Sequence, residues 1–388
     1  MHILINLLNF RPGRIGGTET YLRELVSHLP AVAQGERITL LTSRDVAGEF
    51  QDSPLEIANV PHSTRQICGL RFLEAAAAGF RARSIETAIG RLEPDVILYP
   101  QQSMFPKLVR CPSVLVVHDL YHLHCPHYLS AAQRWFRRRS YPAAMASADR
   151  LIAVSEFTRK AVISNFPCAP DSVSVVPHGV RTFTPQDIVP YEGVSGPYLY
   201  YPAATLPHKN HALLFRTIAR LKAEGRFPYR LILTGARTHH WKRLERLRHS
   251  LALEDVIVHL GYVSYPTVLR LVRGAECVVF PSEFEGFGIP VIEAASLERK
   301  VITSQLEVFE EIGVPHDCRI DFGDAEAFAS ALADRSPSRL VRSPITWAEC
   351  ASATLGILRE TADTARTLPI RTSRAPSESD LKRYQRAA

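Results

Sequence analysis

The sequence of 388 residues has few cysteines and no long apolar run, and both shortages limit what the chain can be. Its seven cysteines are scattered and never form a Cys-x-x-Cys pair, which argues against a disulfide framework or a zinc ribbon and favours a reducing compartment. The longest apolar runs fall far short of the ~20 residues that span a bilayer. The first residues also lack a basic segment and a cleavage site. We therefore expect a cytoplasmic protein that is at most peripheral at the inner face of a membrane.

Several motifs are missing as well. The chain has no Walker A sequence and no Gly-x-Gly-x-x-Gly, so ATP hydrolysis and NAD binding have no motif support. The net charge is +7, yet the one local basic run, RWFRRR at residues 134–139, comes with no nucleic-acid-binding motif. A solvated helix face and a surface for anionic lipid or an anionic acceptor remain open for this run.

Short apolar runs alternate with amphipathic stretches along most of the chain, which is typical of α/β proteins with parallel sheets. The pattern predicts two doubly wound domains, residues 1–184 and 198–343, joined by a linker at 185–197 that is rich in Pro, Gly and Ser. A last amphipathic helix is expected within 344–366. The polar remainder, 367–388, has too little apolar content to fold alone and is expected to be disordered.

The segment PSEFEGFGIPVIEA at residues 281–294 is the most informative in the chain. It leaves a predicted strand, passes through a loop punctuated by glycines, and enters a helix that Pro290 can begin. Gly286 and Gly288 allow a bound phosphate to approach the backbone, and the helix N-terminus favours an anion. Glu285 is expected in the loop and Glu293 in the first helical turn. The alternative is a helix capped by its own acids.

This segment resembles the Glu-x7-Glu motif of retaining GT-B glycosyltransferases, in particular glycosyltransferase family 4. Other family signatures follow in the same order: GGTETY at 16–21, VHDL at 117–120, VSEF at 154–157, VPHGV at 176–180 and PHKN at 207–210. The resemblance implies a GT-B fold, with two Rossmann-like doubly wound domains facing a central cleft. It also implies an N-terminal domain that binds the acceptor and a C-terminal domain that binds a nucleotide diphosphate sugar.

The resemblance assigns roles to individual residues. Lys209 would neutralise the diphosphate, Glu293 would accept from the ribose hydroxyls, and Glu285 would hold hydroxyls of the donor sugar. His118, at a strand end, would orient that sugar, which makes His118 and Glu285 the expected catalytic pair. The implied donor-binding residues are Gly16, Gly17, Lys209, Asn210, Tyr262, Val263, Phe287, Gly288, Ile289 and Glu293, and the implied acceptor-side residues are Glu19, Thr20 and His122.

One position departs from the family pattern. Many relatives carry an arginine six residues before the phosphate lysine, where this chain has Ala203. The diphosphate would then depend on Lys209 and helix N–H groups unless another basic group substitutes.

No metal or other cofactor is expected. The chain contains no Asp-x-Asp, which argues against the cation-dependent chemistry of the other major glycosyltransferase fold. The cluster HLHCPH at 122–127 invites a zinc hypothesis, but two histidines two residues apart do not fit the usual His-x3-5-His pair.

The sequence thus indicates a retaining, metal-independent hexosyltransferase. The favoured donor is GDP-mannose, with UDP- or dTDP-sugars as alternatives, and the expected acceptor is a glycan or a lipid-linked glycan of bacterial surface polysaccharide or glycolipid synthesis. Three other functions stay open: a trimming or phosphorolytic enzyme on the same fold, transfer to a small secondary metabolite, and a non-catalytic sugar-nucleotide-binding partner of another transferase.

Overall fold

A computed structural model describes residues 1–13, 16–77, 79–107 and 111–367 of the chain. The chain forms two compact units. Unit 1 consists of residues 1–179 with the chain from Ile345 onward, and unit 2 consists of residues 180–344. The segment 368–388, which contains nearly all of the tail expected to be disordered, lies outside the described residues.

The segment expected to link the domains, 185–197, belongs to unit 2. Arg270 and Arg273 hold it there, because their guanidinium groups donate to the carbonyl oxygens of Val189 at 3.2 Å and Pro185 at 3.0 Å. Unit 2 therefore begins at Val180, ahead of the expected boundary after residue 184.

All strands in the described part of the chain belong to two sheets. In chain order they are β1 (His2–Asn6), β2 (Arg37–Ser43), β3 (Glu56–Val60), β4 (Val96–Tyr99), β5 (Ser113–Val117), β6 (Arg150–Ala153), β7 (Val173–Val175), β8 (Tyr198–Pro202), β9 (Arg230–Thr234), β10 (Ile257–His259), β11 (Cys277–Phe280), β12 (Lys300–Ser304) and β13 (Arg319–Ile320).

The α-helices of the described residues separate these strands. They are α1 (Gly17–Val32), α2 (Thr64–Ala76), α3 (Arg83–Leu92), α4 (Tyr121–His124), α5 (Ala131–Ser147), α6 (Glu156–Asn165), α7 (His211–Ala223), α8 (Trp241–Ser250), α9 (Tyr265–Gly274), α10 (Ile289–Ser296), α11 (Glu307–Glu311), α12 (Ala325–Ala333) and α13 (Trp347–Thr367). Within this range no helix is long and apolar enough to cross a membrane.

Unit 1 is built on a seven-stranded parallel sheet in the order β3-β2-β1-β4-β5-β6-β7. Its central strands β1, β4 and β5 are buried along their whole length, which explains why they read as continuous apolar runs. The chain leaves β1 towards one edge and returns at β4 to build the other. The carboxyl ends of β1 and β4 therefore form the switch point where ligands bind in such sheets.

Unit 2 repeats this arrangement with a six-stranded parallel sheet in the order β10-β9-β8-β11-β12-β13. Here the switch point lies between the carboxyl ends of β8 and β11. The expectation of two doubly wound α/β units is confirmed.

The last helix, α13, belongs to unit 1, where it packs against α1. Its first residue, Trp347, is 2% exposed. An ideal Cβ on Gly179 would lie 2.4 Å from the Cα of Trp347, so the two backbones touch. This close approach is the reason for a glycine in the VPHGV segment.

Candidate functional site

The carboxyl ends of β8 and β11 bring together two residues that are far apart in sequence. Lys209 follows β8 in a one-turn 3-10 helix, and Glu285 follows β11 in a loop. The Lys209 ammonium nitrogen lies 2.6 Å from Oε1 of Glu285 and 2.8 Å from its Oε2. The two side chains are 20% and 15% exposed, so this ion pair is reachable from solvent yet mostly shielded.

Two further hydroxyl groups stabilise this pair. Ser282 donates from Oγ to Oε1 of Glu285 at 2.7 Å. The Tyr201 hydroxyl donates to the Lys209 carbonyl oxygen at 2.8 Å and lies 3.3 Å from the Ser282 hydroxyl. Burial raises the pKa of Tyr201 well above its ordinary value, so the hydroxyl keeps its proton. The cation, the carboxylate and both hydroxyls thus form one connected cluster, which we call the Lys209 cluster.

The loops that carry the cluster are attached to each other through backbone groups. The Glu283 N–H donates to the carbonyl oxygen of His208 at 2.8 Å. The Ser304 hydroxyl, at the end of β12, donates to the Ser282 carbonyl oxygen at 2.5 Å. Three neighbouring strand ends therefore fix the position of Glu285 before any ligand binds.

Helix α10 begins at Ile289, directly after Gly288. Gly288 has φ 105° and ψ 43°, and an added Cβ would lie 3.0 Å from the ring of Phe309, so the position favours glycine on both counts. Phe287 and Ile289 are buried, and their side chains anchor the loop and the helix start.

The expectation that Glu293 lies in the first turn of this helix is wrong. Because α10 begins at Ile289, Glu293 is its fifth residue and lies in the second turn. The first turn holds no acidic side chain, which also removes the alternative of a helix capped by its own acids.

Glu293 is 6% exposed and takes part in a second polar group within unit 2. The Tyr265 hydroxyl, at the start of α9, donates to its Oε1 at 2.5 Å. The Arg181 guanidinium carbon lies 4.5 Å from the centre of the Tyr265 ring. A buried carboxylate held by a phenol, with a cation over the ring of that phenol, is suited to accept from ligand hydroxyls.

Asn210 forms the junction between the lysine segment and helix α7. Its φ of 54° and ψ of 34° turn the chain so that α7 begins at His211. The neighbouring histidines stay neutral, because burial lowers the pKa of both His208 and His211 to about 3. The histidine of the PHKN segment therefore adds no positive charge beside Lys209 at neutral pH.

The loops after β9 and β10 meet at the same carboxyl edge of the unit 2 sheet as the loops after β8 and β11. The Gly235 N–H donates to the Gly261 carbonyl oxygen at 2.8 Å, and the Gly261 N–H donates to Nδ1 of His259 at 2.9 Å. These bonds present Tyr262, which is 79% exposed, and the half-buried Val263. Burial lowers the pKa of His259 to about 4, so its Nδ1 is available as an acceptor.

In unit 1 the predicted residues of the glycine turn lie at the start of α1. Gly16 is the N-cap, with φ 52°, and no side chain caps the helix. Gly17 is the first helical residue, and both glycines are exposed. Glu19 accepts from the Gly13 N–H at 2.7 Å and from the Arg23 guanidinium at 3.0 Å, while Thr20 is half-buried in the first turn.

His118 follows β5 directly and is 6% exposed. Its Nε2 lies 2.8 Å from the carbonyl oxygen of Pro100, which follows β4. Because a carbonyl oxygen only accepts, Nε2 carries the hydrogen and Nδ1 is left with a lone pair. Burial lowers the pKa of His118, and its buried Nδ1 has no hydrogen-bond partner within the described structure. Tyr21 and His178 pack on the ring, with centroid distances of 4.9 Å and 5.4 Å.

His122, the third expected acceptor-side residue, lies on the short helix α4 and is 7% exposed. Its ring centre is 4.9 Å from that of Tyr141, and burial lowers its pKa to about 4. The histidines of the zinc hypothesis do not converge: in the part of the chain that the structure describes, no three His, Cys, Asp or Glu side chains form a metal-binding group.

Four residues of these groups were not predicted, namely Ser282, Tyr201, Tyr265 and Arg181. Ser282 lies inside the recognised motif, three residues before Glu285, so its place in the loop was a usable signal. Tyr201 and Tyr265 carried no such signal, because their contacts depend on the order of strands in the sheet.

The comparison with known families places the chain among the glycosyltransferase families. Residues 15–183 match the model of Glycosyltransferase Family 4, and residues 192–336 match that of Glycosyl transferases group 1. Together the two matches take in most of the chain. The chain belongs to the group 1 glycosyltransferases of the family 4 type, which confirms the resemblance seen in the sequence.

Similar proteins add detail. The O-antigen chain mannosyltransferase B of Escherichia coli is 27% identical over 232 residues, 57% of this chain and 60% of that protein. The O-antigen chain mannosyltransferase RfbU of Salmonella typhimurium is 25% identical over 218 residues, 56% of this chain and 59% of that protein. The chain thus spans about 60% of the length of these curated relatives.

Among solved structures, Anabaena Alr3699/HepE in complex with UDP and glucose superposes with a TM-score of 0.62 at 18% identity. The match covers 95% of this chain and 100% of that chain. At this identity the likeness shows the fold, and the expected GT-B architecture of two Rossmann-like units is confirmed.

Proposed function

We propose that the chain transfers a hexose, with mannose favoured, from a nucleotide diphosphate sugar to an acceptor hydroxyl with retention of configuration. The observation that carries this proposal is the Lys209 cluster. An ammonium group lies against a carboxylate at the switch point of the sheet, where a mononucleotide ligand is expected. A diphosphate oxygen can replace the carboxylate on Lys209, and Glu285 is then free to accept from sugar hydroxyls while Ser282 still orients it.

The proposed bond changes are those that the resemblance to retaining family members implies. The bond between the sugar anomeric carbon and the diphosphate oxygen breaks, and the acceptor oxygen bonds to the same face of that carbon. The acceptor proton passes to the leaving diphosphate. Lys209 stabilises the negative charge that develops on the diphosphate.

His118 has a defined part in this proposal. Its Nδ1 is an acceptor because Nε2 donates to the Pro100 carbonyl oxygen. It would accept from a hydroxyl of the donor sugar and so fix the rotation of the ring. A neutral imidazole suits this task, and the lowered pKa keeps it neutral.

The donor base and sugar are proposed from the relatives. Two of the similar proteins are named mannosyltransferases of O-antigen chains, which favours GDP-mannose, whereas the similar solved structure holds UDP and glucose. UDP- and dTDP-sugars therefore remain as donors to be tested. The same relatives favour a glycan or lipid-linked glycan as acceptor. The seven cysteines are all free thiols, which supports a reducing cytoplasm as the compartment.

A thermal-shift screen against UDP, GDP, ADP and dTDP and their common sugars tests the donor site. A ligand that binds only the folded chain at 100 times its Kd stabilises it by about 2.7 kcal/mol, which is readily measured. We expect one nucleotide to respond and Lys209→Ala to weaken its binding at least about tenfold, since a charge-assisted contact is lost. Lys222→Ala is the matched control. The ammonium nitrogen of Lys222 lies 2.7 Å from Oδ1 of Asp255, and neither residue belongs to the Lys209 cluster.

Transfer itself needs a separate readout. The responding nucleotide sugar is incubated with the chain and an acceptor, and NMR of the product should show the same anomeric configuration as the donor. The reaction should proceed equally well with and without EDTA. Inversion would contradict retention, and loss of activity in EDTA would contradict metal independence. Nucleotide binding with neither transfer nor slow donor hydrolysis would favour a non-catalytic partner, and transfer only to a small soluble alcohol would favour a secondary-metabolite acceptor.

A further inference from the structure

Unit 1 exposes three large apolar side chains on adjacent helices. Phe72 and Leu73 on α2 are 48% and 46% exposed, and Trp135 on α5 is 38% exposed. The rings of Phe72 and Trp135 are in contact, with centroids 5.2 Å apart. We call these three residues the aromatic patch. Grouped exposed apolar side chains, unlike single ones, indicate a surface that binds something.

The helical spacing places these residues outward. On α2 the exposed positions include Arg65, Gly69 and Phe72, which follow each other at intervals of four and three residues, with Leu73 beside them. On α5 Trp135 is exposed while Ser140 and Ala144 are buried. The inward faces are already packed, so the apolar character of the outer faces is not required by the core.

The two helices that carry the patch are strongly basic. Helices α2 and α5, both fully described, contain six arginines and a single acid, Glu74. That acid accepts from the Lys107 N–H at 3.0 Å and is half-buried. Arg138 and Arg139 are exposed, and the Arg139 guanidinium carbon lies 5.9 Å from the centre of the Trp135 ring. The patch is thus an apolar centre with a cationic border.

We propose that the aromatic patch docks on the surface of a bilayer that contains anionic lipids. Aromatic and aliphatic side chains insert at the boundary between headgroups and acyl chains, and neighbouring arginines attract anionic headgroups at about 1 kcal/mol each. Charge complementarity selects this occupant, because an anionic bilayer satisfies the apolar centre and the cationic border together. The interpretation of residues 134–139 as a merely solvated helix face does not account for Phe72 and Leu73.

The position of the patch relates bilayer docking to acceptor binding, an inference that rests on the proposed function. Arg137, on α5, lies over the rings of Tyr121 and Tyr141 at 5.9 Å and 5.7 Å. Tyr141 in turn contacts the ring of His122, an expected acceptor-side residue. A sugar acceptor anchored in the same bilayer would therefore approach unit 1 at the helix that packs beside His122.

Flotation with phosphatidylcholine vesicles, with and without phosphatidylglycerol, tests the docking on the whole chain. We expect binding only to the anionic vesicles, weakened by salt. The double variant Phe72→Ser/Leu73→Ser and the double variant Arg65→Glu/Arg138→Glu should each bind about tenfold more weakly with unchanged melting temperature. The matched control is Val341→Ser/Arg342→Glu, which changes an exposed valine and an exposed arginine of unit 2 and should bind like the parent.

Fluorescence gives an independent readout, because Trp241 and Trp347, the other two tryptophans, are only 7% and 2% exposed. Brominated phosphatidylglycerol vesicles should quench the parent and leave Trp135→Phe unaffected. The proposal is overturned if no anionic vesicle floats the chain at low salt, or if the patch variants float as well as the parent. A further result would also overturn it: the parent chain forms a dimer, this dimer does not float with anionic vesicles, and Phe72→Ser/Leu73→Ser makes it monomeric. A second copy of the chain would then cover the patch. Docking by a chain that binds no nucleotide would leave this inference intact while removing the proposed function.

Discussion

At the scale of single residues, the orientation of the Glu285 carboxylate is the detail that most needs explanation. Lys209 balances the negative charge of Glu285. A carboxylate that must later accept from sugar hydroxyls also needs its two oxygen atoms held in a fixed orientation. Ser282 supplies it, with a hydroxyl that is fully buried and 2.7 Å from Oε1. We regard Ser282 as a positioning residue, since it acts through Glu285 and not on the ligand.

Replacing this serine therefore has a specific expected effect. Ser282→Ala should lower kcat about tenfold, because a hydrogen bond to a charged group contributes about 1.5–3 kcal/mol, while the Kd of the nucleotide alone changes little. Steady-state kinetics with a titration of the free nucleotide separates the two effects. Ser304→Ala is the comparison, because it removes a bond to the Ser282 carbonyl oxygen but none to Glu285. Equal losses in both variants would mean that the loop as a whole, and not the carboxylate orientation, has been disturbed.

The sequence predicted those site residues that are close together in the chain. Residues 281–294 form one contiguous loop and helix after a strand, so this local structure can be recognised from the amino-acid sequence alone. The turn that holds Glu293 was misjudged because α10 begins at Ile289, directly after the left-handed Gly288 and one residue before Pro290, where the sequence places the helix start. Tyr265 could not be anticipated, since it reaches Glu293 across 28 residues only after β11 has paired with β8.

At the scale of elements, burial decided which ones could be predicted. The central strands are continuous apolar runs, and helix α6 begins after Ser155, a residue type that favours the N-cap and here accepts from the Thr158 N–H at 3.0 Å. The edge strand β3, EIANV, has only one fully buried residue and gave no apolar run. Helix α2 is hard to recognise for the opposite reason, because its exposed Phe72 and Leu73 blur the helical periodicity.

The docking of α13 on unit 1 provides a test at this scale. Gly179→Ala would force a Cβ to 2.4 Å from the Trp347 Cα, and backbone atoms cannot move aside as a side-chain end can. We expect a loss of about 2 kcal/mol or more in the stability of unit 1, seen as a lower midpoint in thermal or urea unfolding. Gly356→Ala, in the middle of the same helix with open space around it, should instead stabilise by up to about 1 kcal/mol. A neutral result for Gly179→Ala would show that α13 does not pack there in solution.

At the scale of the whole molecule, both units contain histidines whose pKa is lowered by burial: His118, His122 and His178 in unit 1, and His208, His211 and His259 in unit 2. In the unfolded chain these side chains take up protons below about pH 6.5, whereas in the folded chain they stay neutral to lower pH. The unfolded state then binds more protons, so the free energy of unfolding falls as the pH is lowered. Each histidine contributes up to about 1.4 kcal/mol per pH unit.

We therefore expect both unfolding transitions to move to lower temperature between about pH 6.5 and pH 4.5, a window above the ordinary range of carboxyl groups. Calorimetric scans across this window measure the effect for each unit. His211→Leu, which removes a fully buried histidine of unit 2, should reduce the pH dependence of that unit by about one proton, whereas the exposed His316→Leu should leave it unchanged. A flat pH response of the parent would mean that these histidines are reached by solvent or charged in the folded chain. His118 would then lose the neutral, accepting Nδ1 on which its proposed contact with the donor sugar depends.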